Sequence, residues 1–457
     1  MMRKTLCSLL AVLMLAAPVA RAETLADALI AAYRNSNLLD QNRAVLRVAD
    51  EDVAIAVSDL RPVINFAAQA GYARAEFLNP IGARGVNQGL SSSISLTADL
   101  TLLDFGRNAL AVDVAKESVL ATREALIGVE QGVLLSAVQA YVDVRLSQEI
   151  VALRQSNFRL ITKELRAAQD RFDVGEITRT DVAIAEARLA SSRASLAAAE
   201  GDLMVARESY KAATGAYPGR LAGLPATPKT ARSLEDAQAV AQRTHPSIRQ
   251  AQREVTIAEL NVARSKAGMK PSLTARATIS VDDEGLDTET LGLNLNQTLY
   301  AGGKLSALYR KALAGRDASR AGLHQTSVQV AQNVGNAWSN LAVTAASIDA
   351  SSRQITAAQT AFDGVREEAT LGARTTLDVL DAEQELLDAR ASRLQAEAGR
   401  YVGVYALLSS MGLLTADHLQ LGIPTYDPAA YYNAVKTAPA TSAQGRKLDK
   451  ILEKIGN

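Results

Sequence analysis

The sequence predicts an internally duplicated α+β membrane protein, built from long helices and four short strands in each chain. Three observations lead to this fold class: a repeat at one fixed offset, long stretches without proline, and segments in which apolar and small polar residues alternate. The composition agrees, since the 457 residues include only 6 Phe, 12 Tyr and 1 Trp. So few aromatic side chains are typical of long helices packed by small residues.

The repeat is visible in matched glycines. Gly106 in "LLDFGR" and Gly303 in "LYAGGK" differ by 303 − 106 = 197 positions. The same offset relates Gly175 to Gly372, Asp181 to Asp378, Glu186 to Glu383, Arg193 to Arg390 and Gly215 to Gly412. One offset held across so many positions indicates a duplication.

Proline placement predicts the helices. No proline lies between Pro80 and Pro218 or between Pro271 and Pro424, which leaves room for uninterrupted helices. The gap from Gly106 to Phe172 predicts a helix of about 67 residues and about 100 Å. The other predicted helices are Thr24–Asp59, Thr180–Ala213, Leu234–Ala267, a second long helix from Gly303, and Thr376–Met411.

Apolar residues recur at steps of three and four on both sides of two similar bends. This spacing predicts two antiparallel coiled-coil hairpins. The bends are "VGEITRTDVAIAEA" (174–187) and "LGARTTLDVLDAEQ" (371–384). Gly372 suits the left-handed residue that ends a helix. Thr178 with Asp181, and Thr375 with Asp378, fit the capping box that begins one.

Four segments alternate apolar and small polar residues, as the strands of outer-membrane barrels do: Ile64–Tyr72, Ile94–Leu100, Leu273–Val281 and Leu291–Leu295. Locally, two half-buried hairpins on a soluble domain fit equally well. Four strands cannot close into a barrel, and the backbone hydrogen-bonding groups at open strand edges have no partners in lipid. Several chains would therefore have to share one barrel.

The N-terminus predicts a secretory signal peptide. Arg3 and Lys4 precede the apolar run Leu9–Ala17, and the small-residue pattern at Ala20 and Ala22 marks a cleavage site. We therefore expect the mature chain to start near residue 23, outside the cytoplasm. The expected divisions are the signal peptide 1–22, a first structural repeat 23–218, a linker 219–231, a second repeat 232–414 and a C-terminal periplasmic tail 415–457.

Several kinds of chemistry are not expected. The single cysteine, Cys7, lies in the signal peptide, so the mature chain has no disulfide, Cys metal ligand or acylated Cys. The signal removes three of the 49 basic residues and no acid, which leaves a formal charge of 46 − 49 = −3 and no electrostatic case for nucleic acid. His245, His324 and His418 have no metal-spaced companions. "YAGGKLS" is not a phosphate loop, because Thr298 occupies the place of its first glycine. We expect neither an enzyme nor a cofactor.

The duplicated joints "LLDFGRNAL" and "LYAGGKLSAL", together with the two bends, resemble the TolC family of outer-membrane efflux and secretion ducts. The resemblance implies a homotrimer: a shared twelve-stranded barrel in outer-membrane lipid, continued by an α-helical tunnel across the periplasm. It also implies a periplasmic adaptor protein that meets the bends, and an inner-membrane ABC transporter or proton-driven pump. The tail Leu421–Val435 is similar to the type I secretion branch.

The resemblance also implies a gate at the bends. Arg374 on the inner hairpin would tie to Asp181 and Thr180 on the outer one, although capping is an equally good role for Asp181. Asp378 and Asp381 match the family's acidic constriction ring. Glu385 and Asp388 lie on the same helix face, and for these two a solvated stripe is the favoured interpretation.

The remaining implied sites lie at the bends and the joints. Val174, Gly175, Leu371 and Gly372 would contact the adaptor, although as helix terminators the glycines need no partner. The strand-to-helix joints contain Gly106, Gly302 and Gly303. The family's gate often carries a tyrosine three residues before the bend glycine, where this chain has Ala369, so part of the closing network would be weaker here.

Taken together, these features favour a passive export duct in the outer membrane, with type I protein secretion preferred over multidrug or metal efflux. The rival from another class is a secreted coiled-coil structural protein with hairpin caps. That rival predicts a soluble periplasmic protein, whereas the duct predicts a trimer that requires detergent.

Overall fold

The computed structural model describes residues 22–78, 80–82, 84–438 and 450. The predicted signal peptide up to residue 21, and nearly all of the tail after residue 438, lie outside the described residues. Within them the elements run as α1 Leu25–Asn35, α2 Asn37–Ser58, β1 Val63–Leu78, β2 Arg84–Leu103, α3 Arg107–Asp173, α4 Arg179–Thr214, α5 Leu234–Thr244, α6 Pro246–Ala267, β3 Ser272–Asp282, β4 Asp287–Asn296, α7 Lys304–Thr370, α8 Thr376–Ser410 and α9 Pro428–Val435.

The long helices confirm the prediction from proline placement. Both α3 and α7 are 67 residues long. The helices that follow them, α4 and α8, begin and end within one residue of the predicted bounds. We call α3 with α4 the first hairpin, and α7 with α8 the second hairpin.

The predictions of Thr24–Asp59 and Leu234–Ala267 as single helices are wrong, because each of these segments forms two helices. The first is broken at Ser36, whose extended backbone (φ −76°, ψ 105°) ends α1, and whose hydroxyl accepts a 3.2 Å hydrogen bond from Leu39 N at the start of α2. The second is broken at His245, directly before Pro246. A proline disfavours helical backbone in the residue that precedes it, and it suits the first turn of the next helix.

The strands form one antiparallel sheet in the order β1-β2-β3-β4. The register confirms the predicted alternation: Phe66 lies opposite Leu96, and Leu96 opposite Ile279, on the apolar face. Thr97 lies opposite Thr278 on the polar face. Strands β1 and β2, with 16 and 20 residues, are longer than the predicted length of about ten.

The apolar face of this sheet is exposed within the chain. Phe66, Leu291 and Leu293 are 69 %, 85 % and 69 % exposed. Side chains of this size at such exposure are unusual in a soluble domain and typical of a surface that meets lipid or a partner.

Contacts divide the chain into two units, and the first comprises residues up to 41, 127–245 and 329–425. Its largest core packs α1 residues such as Leu29 against Tyr141 of α3 and Tyr405 of α8. The buried Tyr141 hydroxyl lies 3.0 and 2.8 Å from the carbonyl oxygens of Glu23 and Ala222, which fixes the segments before α1 and after α4. Both hairpin bends belong to this unit.

The second unit comprises residues 42–126, 246–328 and 426 onwards, and it contains the sheet. Its helical core consists of Leu46, Val53 and Val119, against which Tyr426 and Tyr432 of the tail pack. Residues Tyr426 and Tyr432 of the tail therefore belong to this core.

By length and composition, α3 contains an 18-residue stretch apolar enough to cross a bilayer, with a mean hydropathy of 1.4. The same helix contributes Leu134, Val138 and Tyr141, all fully buried, to the core of the first unit. Because 39 % of the stretch is buried within the chain, packing between helices accounts for part of its apolar character.

Candidate functional site

The two hairpin bends have the same backbone geometry. At each bend the glycine N–H donates to the carbonyl three residues earlier, and the following N–H donates to the carbonyl five residues earlier. These distances are 2.9 and 2.9 Å at Gly175, and 3.2 and 2.9 Å at Gly372. The φ angles of 81° and 80° lie in the left-handed region, where glycine is favoured. This pair of bonds ends a helix in a Schellman motif, which confirms the role predicted for Gly372.

An apolar side chain projects beside each of these glycines. Val174 is 72 % exposed and Leu371 is 77 % exposed. The two bends therefore present matched apolar tips, and their predicted contact with an adaptor stays a prediction.

Both helices that leave the bends begin with a capping box. Thr178 N donates to Asp181 Oδ2 (2.9 Å), and Asp181 N donates to Thr178 Oγ1 (3.3 Å). Thr375 and Asp378 repeat the arrangement at 2.9 and 3.2 Å. Hydrogen bonds from these threonines lower the pKa values of Asp181 and Asp378. Each acid stabilises the start of its own helix, so the capping interpretation is confirmed.

Arg374 binds an acid on its own hairpin. Its Nε donates to Glu368 Oε2 at 2.8 Å. Within the single chain, the structure does not bring Arg374 to Asp181 or to Thr180, which is exposed in the first turn of α4. The tie implied by the resemblance therefore stays a prediction about an assembly of several chains.

Asp381 has a partner that the sequence did not identify. It forms an ion pair with Arg188 of α4, so a carboxylate assigned to the constriction ring is paired with the first hairpin of the same chain. The opposite charges of Arg188 and Asp381 were the available signal, although the sequence predicted packing only within each hairpin. The facing of these two positions is set by tertiary structure, which periodicity does not supply.

A second unforeseen contact lies inside the helices. Asn157 of α3 donates from Nδ2 to Oε1 of Glu383 in α8, at 2.6 Å. Both residues are buried, at 8 % and 5 % exposure. The sequence did contain a signal: Leu380, Glu383 and Leu387 step by three and four, so Glu383 interrupts an apolar face.

The acidic stripe on α8 is exposed but not purely solvated. Glu385 Oε1 accepts from Gln354 Nε2 of α7 (2.8 Å). Asp388 accepts from Gln384 at 2.9 Å, and Arg154 of α3 lies 3.9 Å from it. Both acids are exposed, as the prediction of a solvated stripe expects, and each also has a polar neighbour on another helix.

A cleft of about 410 Å³ lies between the hairpins beside Ala369. Glu164 and Arg171 of α3, Arg366 of α7 and Val379 of α8 help to line it. The small alanine thus leaves open space at the position where the resemblance leads us to expect a tyrosine.

The joint glycines lie where strands give way to helices. Gly106 (φ 83°) precedes α3, and Gly302 and Gly303 (φ 58° and 83°) precede α7. Asp104 accepts from the backbone N–H of Gly106 and Asn108 (3.0 and 2.7 Å), which caps the start of α3. No cluster of metal-binding side chains occurs among residues 22–438 for which the structure gives positions.

Comparison with known proteins gives one family match. The family described as "Outer membrane efflux protein" matches residues 29–216 and 238–413, which correspond to the two copies of the repeat.

Three curated relatives match nearly full length. Outer membrane efflux protein BepC of Brucella suis biovar 1 is 37 % identical, covering 91 % of this chain and 91 % of the relative. Outer membrane protein TolC of Escherichia coli is 24 % identical, covering 93 % and 90 %. Proteases secretion protein PrtF of Dickeya chrysanthemi is 27 % identical, covering 85 % and 88 %.

Solved structures show the same fold. The outer membrane protein VceC of Vibrio cholerae superposes with a TM-score of 0.74 at 20 % identity, covering 85 % of this chain and 96 % of that chain. The CmeC outer membrane channel of Campylobacter jejuni gives 0.76 at 16 % identity, covering 91 % and 89 %.

Proposed function

Because this chain belongs to the family of outer membrane efflux proteins, as a TolC-like member, we propose that it is a passive duct, gated at its hairpin bends, in a tripartite export system. It lies in the outer membrane, with its helices in the periplasm. The family and the fold are those of channels, and the energy for transport would come from an inner-membrane ABC transporter or proton-driven pump.

The exposed apolar face of the sheet is the observation that carries this proposal. A four-stranded sheet whose large apolar residues are uncovered has to meet lipid on that face. Its two outer strands must then pair with those of other copies, because unpaired edges are not stable in a bilayer. Three copies supply the shared twelve-stranded barrel expected of a TolC-like trimer.

The gate would involve Arg374, Asp181, Thr180, Asp378 and Asp381. In the trimer, Arg374 would exchange Glu368 for Asp181 and Thr180 of the outer hairpin. An exposed ion pair contributes little free energy in water. A partner that binds the open form in preference would therefore shift the equilibrium towards opening.

That partner would be a periplasmic adaptor at Val174, Gly175, Leu371 and Gly372. The matched exposed tips support this assignment, since large apolar side chains at exposed helix ends are typical of contact surfaces.

We favour type I protein secretion as the use of the duct, because of the tail Leu421–Val435 and because one relative is named a proteases secretion protein. Multidrug or metal efflux is the second candidate, since the 37 % identical relative is named an efflux protein. Deleting the gene and comparing the secreted proteins with the susceptibility to toxic compounds separates the two. A neighbouring gene for an ABC transporter would favour secretion.

Single-channel recording tests the duct itself. The mature protein, purified in detergent, should run as a trimer and conduct ions across planar bilayers. A monomer that is soluble without detergent and gives no conductance would contradict the proposal and favour a coiled-coil structural protein.

A further inference from the structure

Glu23, the first residue after the predicted cleavage site, is built into the first unit. Its carbonyl oxygen accepts a hydrogen bond from Ala222 N at 2.8 Å, and the Tyr141 hydroxyl lies 3.0 Å from the same oxygen. Its own N–H donates to the carbonyl oxygen of Arg220 at 2.9 Å. The residue therefore pairs with the segment that follows α4, as a short parallel bridge with Leu221.

The side chain of Glu23 is hydrogen-bonded as well. Tyr210 of α4 donates from its hydroxyl to Oε1 at 2.5 Å, and Gly219 N donates to Oε2 at 3.3 Å. Because Tyr210 is fully buried, its hydroxyl depends on such a partner within the protein. Through backbone and side chain, this one residue joins the start of the described chain to α3, α4 and the segment 219–222.

The surroundings of Glu23 carry more negative than positive charge. Burial, the hydrogen bond to Glu23 and the negative charges of Glu23 and Asp27 raise the pKa of Tyr210. Arg145 of α3 also acts on this cluster, but it forms an ion pair with Glu149 at 3.1 Å. A further positive charge at this place would therefore be stabilised.

Signal-peptide cleavage supplies such a charge. Hydrolysis of the peptide bond between Ala22 and Glu23 leaves a carboxylate on the signal peptide and an α-ammonium group on Glu23. One N–H of this group keeps the bond to the carbonyl oxygen of Arg220, and hydrogen bonds from a charged donor are stronger than those from a neutral one. The processed chain end thus gains an interaction that the uncleaved peptide bond cannot make.

The duplication provides an internal comparison. Glu23 and Arg232 both lie two residues before the first helix of their repeat. At the offset of 197, the two tyrosines of the cluster correspond to Trp338 and Leu407. The second copy continues from a linker and has neither the carboxylate nor the two hydroxyls. The polar cluster is therefore specific to the repeat with which the mature chain is expected to begin.

We propose that Glu23 is the N-terminal residue of the mature chain and that the fold contains a binding site for its α-ammonium group. The group is bound by the carbonyl oxygen of Arg220, in the field of the carboxylates of Glu23 and Asp27. Cleavage of the signal peptide completes the site, so the first unit reaches its full stability only in the processed chain. This site does not depend on the proposed function as a duct.

Amine labelling of the purified mature protein tests the site. Near neutral pH an acylating reagent prefers the α-amino group to lysine, because the ordinary pKa of about 7.7–8.0 lies below the value of about 10.4 for lysine. We expect mass spectrometry to find Glu23 as the first residue. Its amino group should react about tenfold more slowly in the folded oligomer than in denaturant. Lys229, which is exposed, should react at similar rates in both and serves as the internal control.

Two tyrosine variants separate the hydrogen bonds of the site from simple burial. Tyr210→Phe removes the hydroxyl that binds the Glu23 carboxylate, and it should speed the labelling of the folded protein about tenfold. Tyr217→Phe is the matched control, since Tyr217 makes a 2.7 Å hydrogen bond to Glu208 at an exposed site of the same unit. The control should be labelled like the wild type.

A displaced chain end tests the contribution of the charge. Two serines inserted between Ala22 and Glu23 move the ammonium group away and leave every side chain of the cluster unchanged. We expect this insertion to lower Tm by about 2–4 °C. The same two serines inserted after Ala226, in an exposed part of the linker, should leave Tm unchanged.

The outcomes bear on the site alone. A first residue other than Glu23, an α-amino group labelled equally fast in the folded and denatured protein, or an N-terminal insertion without effect on Tm would overturn it. None of these readouts requires ion conductance, so such a result leaves the proposed duct standing. An oligomer that conducts no ions but protects its N-terminus would overturn the duct and support the site.

Discussion

Nε of Arg374 lies 2.8 Å from Oε2 of Glu368, six residues earlier on the second hairpin. Both side chains are half exposed. The Arg374 guanidinium, which the resemblance assigns to the gate, is therefore held by its own hairpin within a single chain. Because it is half exposed, it can also pair with a second acid.

Replacing Arg374 tests its place in the gate. Arg374→Ser should raise the single-channel conductance of the resting oligomer, because the loss of the guanidinium removes the predicted tie to the outer hairpin. The control is Arg353→Ser, which breaks an exposed ion pair with Asp349 farther along α7. If the currents of both variants equal that of the wild type, Arg374 does not belong to the gate.

Filling the cleft beside Ala369 should strengthen closure. Ala369→Tyr places an aromatic ring in a space of about 410 Å³ that both hairpins line, so we expect fewer spontaneous openings with little change in Tm. Ala358→Tyr is the matched control, since Ala358 is equally buried on the same helix without lining the cleft. Overpacking there should lower Tm. A similar fall in Tm for both variants would show that the cleft does not accept the ring.

A buried acid in the second unit should make stability depend on pH. Asp50 is fully buried with both carboxyl oxygens unpartnered among the described residues, and desolvation raises its pKa to about 6, against the lowering effect of Arg123. Because the pKa is raised, the folded protein loses stability as the pH rises through about 6.

Asp50→Asn should remove this loss. We expect the variant to be more stable than the wild type by about 1–3 kcal/mol near pH 8, and nearly equal to it near pH 4. Thermal unfolding in detergent at both pH values provides the measurement, with the exposed Asp52→Asn as the control. Greater stability of Asp50→Asn at low pH alone would contradict the assignment.

Two matched glycines should differ in their tolerance of a side chain. Gly215 and Gly412 both have positive φ (90° and 76°). A Cβ on Gly412 would lie 2.7 Å from the Cα of His245, whereas a Cβ on Gly215 would meet only the side chain of Asn35, at 3.0 Å.

Gly215→Ala should therefore cost about 1–2 kcal/mol, mainly from backbone strain, with a small shift of the Asn35 side chain. Gly412→Ala should cost about 3 kcal/mol or more, because the backbone at the junction of α5 and α6 has to move as well. Differential scanning calorimetry of the two variants compares the costs, and equal Tm values would show that the junction gives way easily.

Much of the fold was predictable because it depends on local rules. The proline-free stretches predicted α3 and α7, and the alternation predicted all four strands with their apolar face. The capping boxes at Thr178 and Thr375 were readable because their partners lie three residues away. The break before Pro246 was also readable, since proline restricts the preceding residue.

The polar contacts between the hairpins were not predictable in the same way. The pairing of Arg188 with Asp381 depends on the rotation of α4 relative to α8. The periodicity of the sequence predicts that both positions are exposed. Glu383 gave a partial signal, because an acid stands on an otherwise apolar face between Leu380 and Leu387. Its partner Asn157 lies 226 residues away in sequence, where only tertiary packing brings the two together.

The order of the strands has a consequence for biogenesis. β1 and β4 lie at the two edges of the sheet. Each newly exported chain therefore has two strand edges whose main-chain hydrogen-bond donors and acceptors are unpaired, next to an exposed apolar surface. Such edges pair with any available strand and promote aggregation. We therefore expect the unassembled chain to remain soluble in the periplasm only when a chaperone binds it or when it soon meets other copies of itself. We expect unassembled excess to be degraded by proteases.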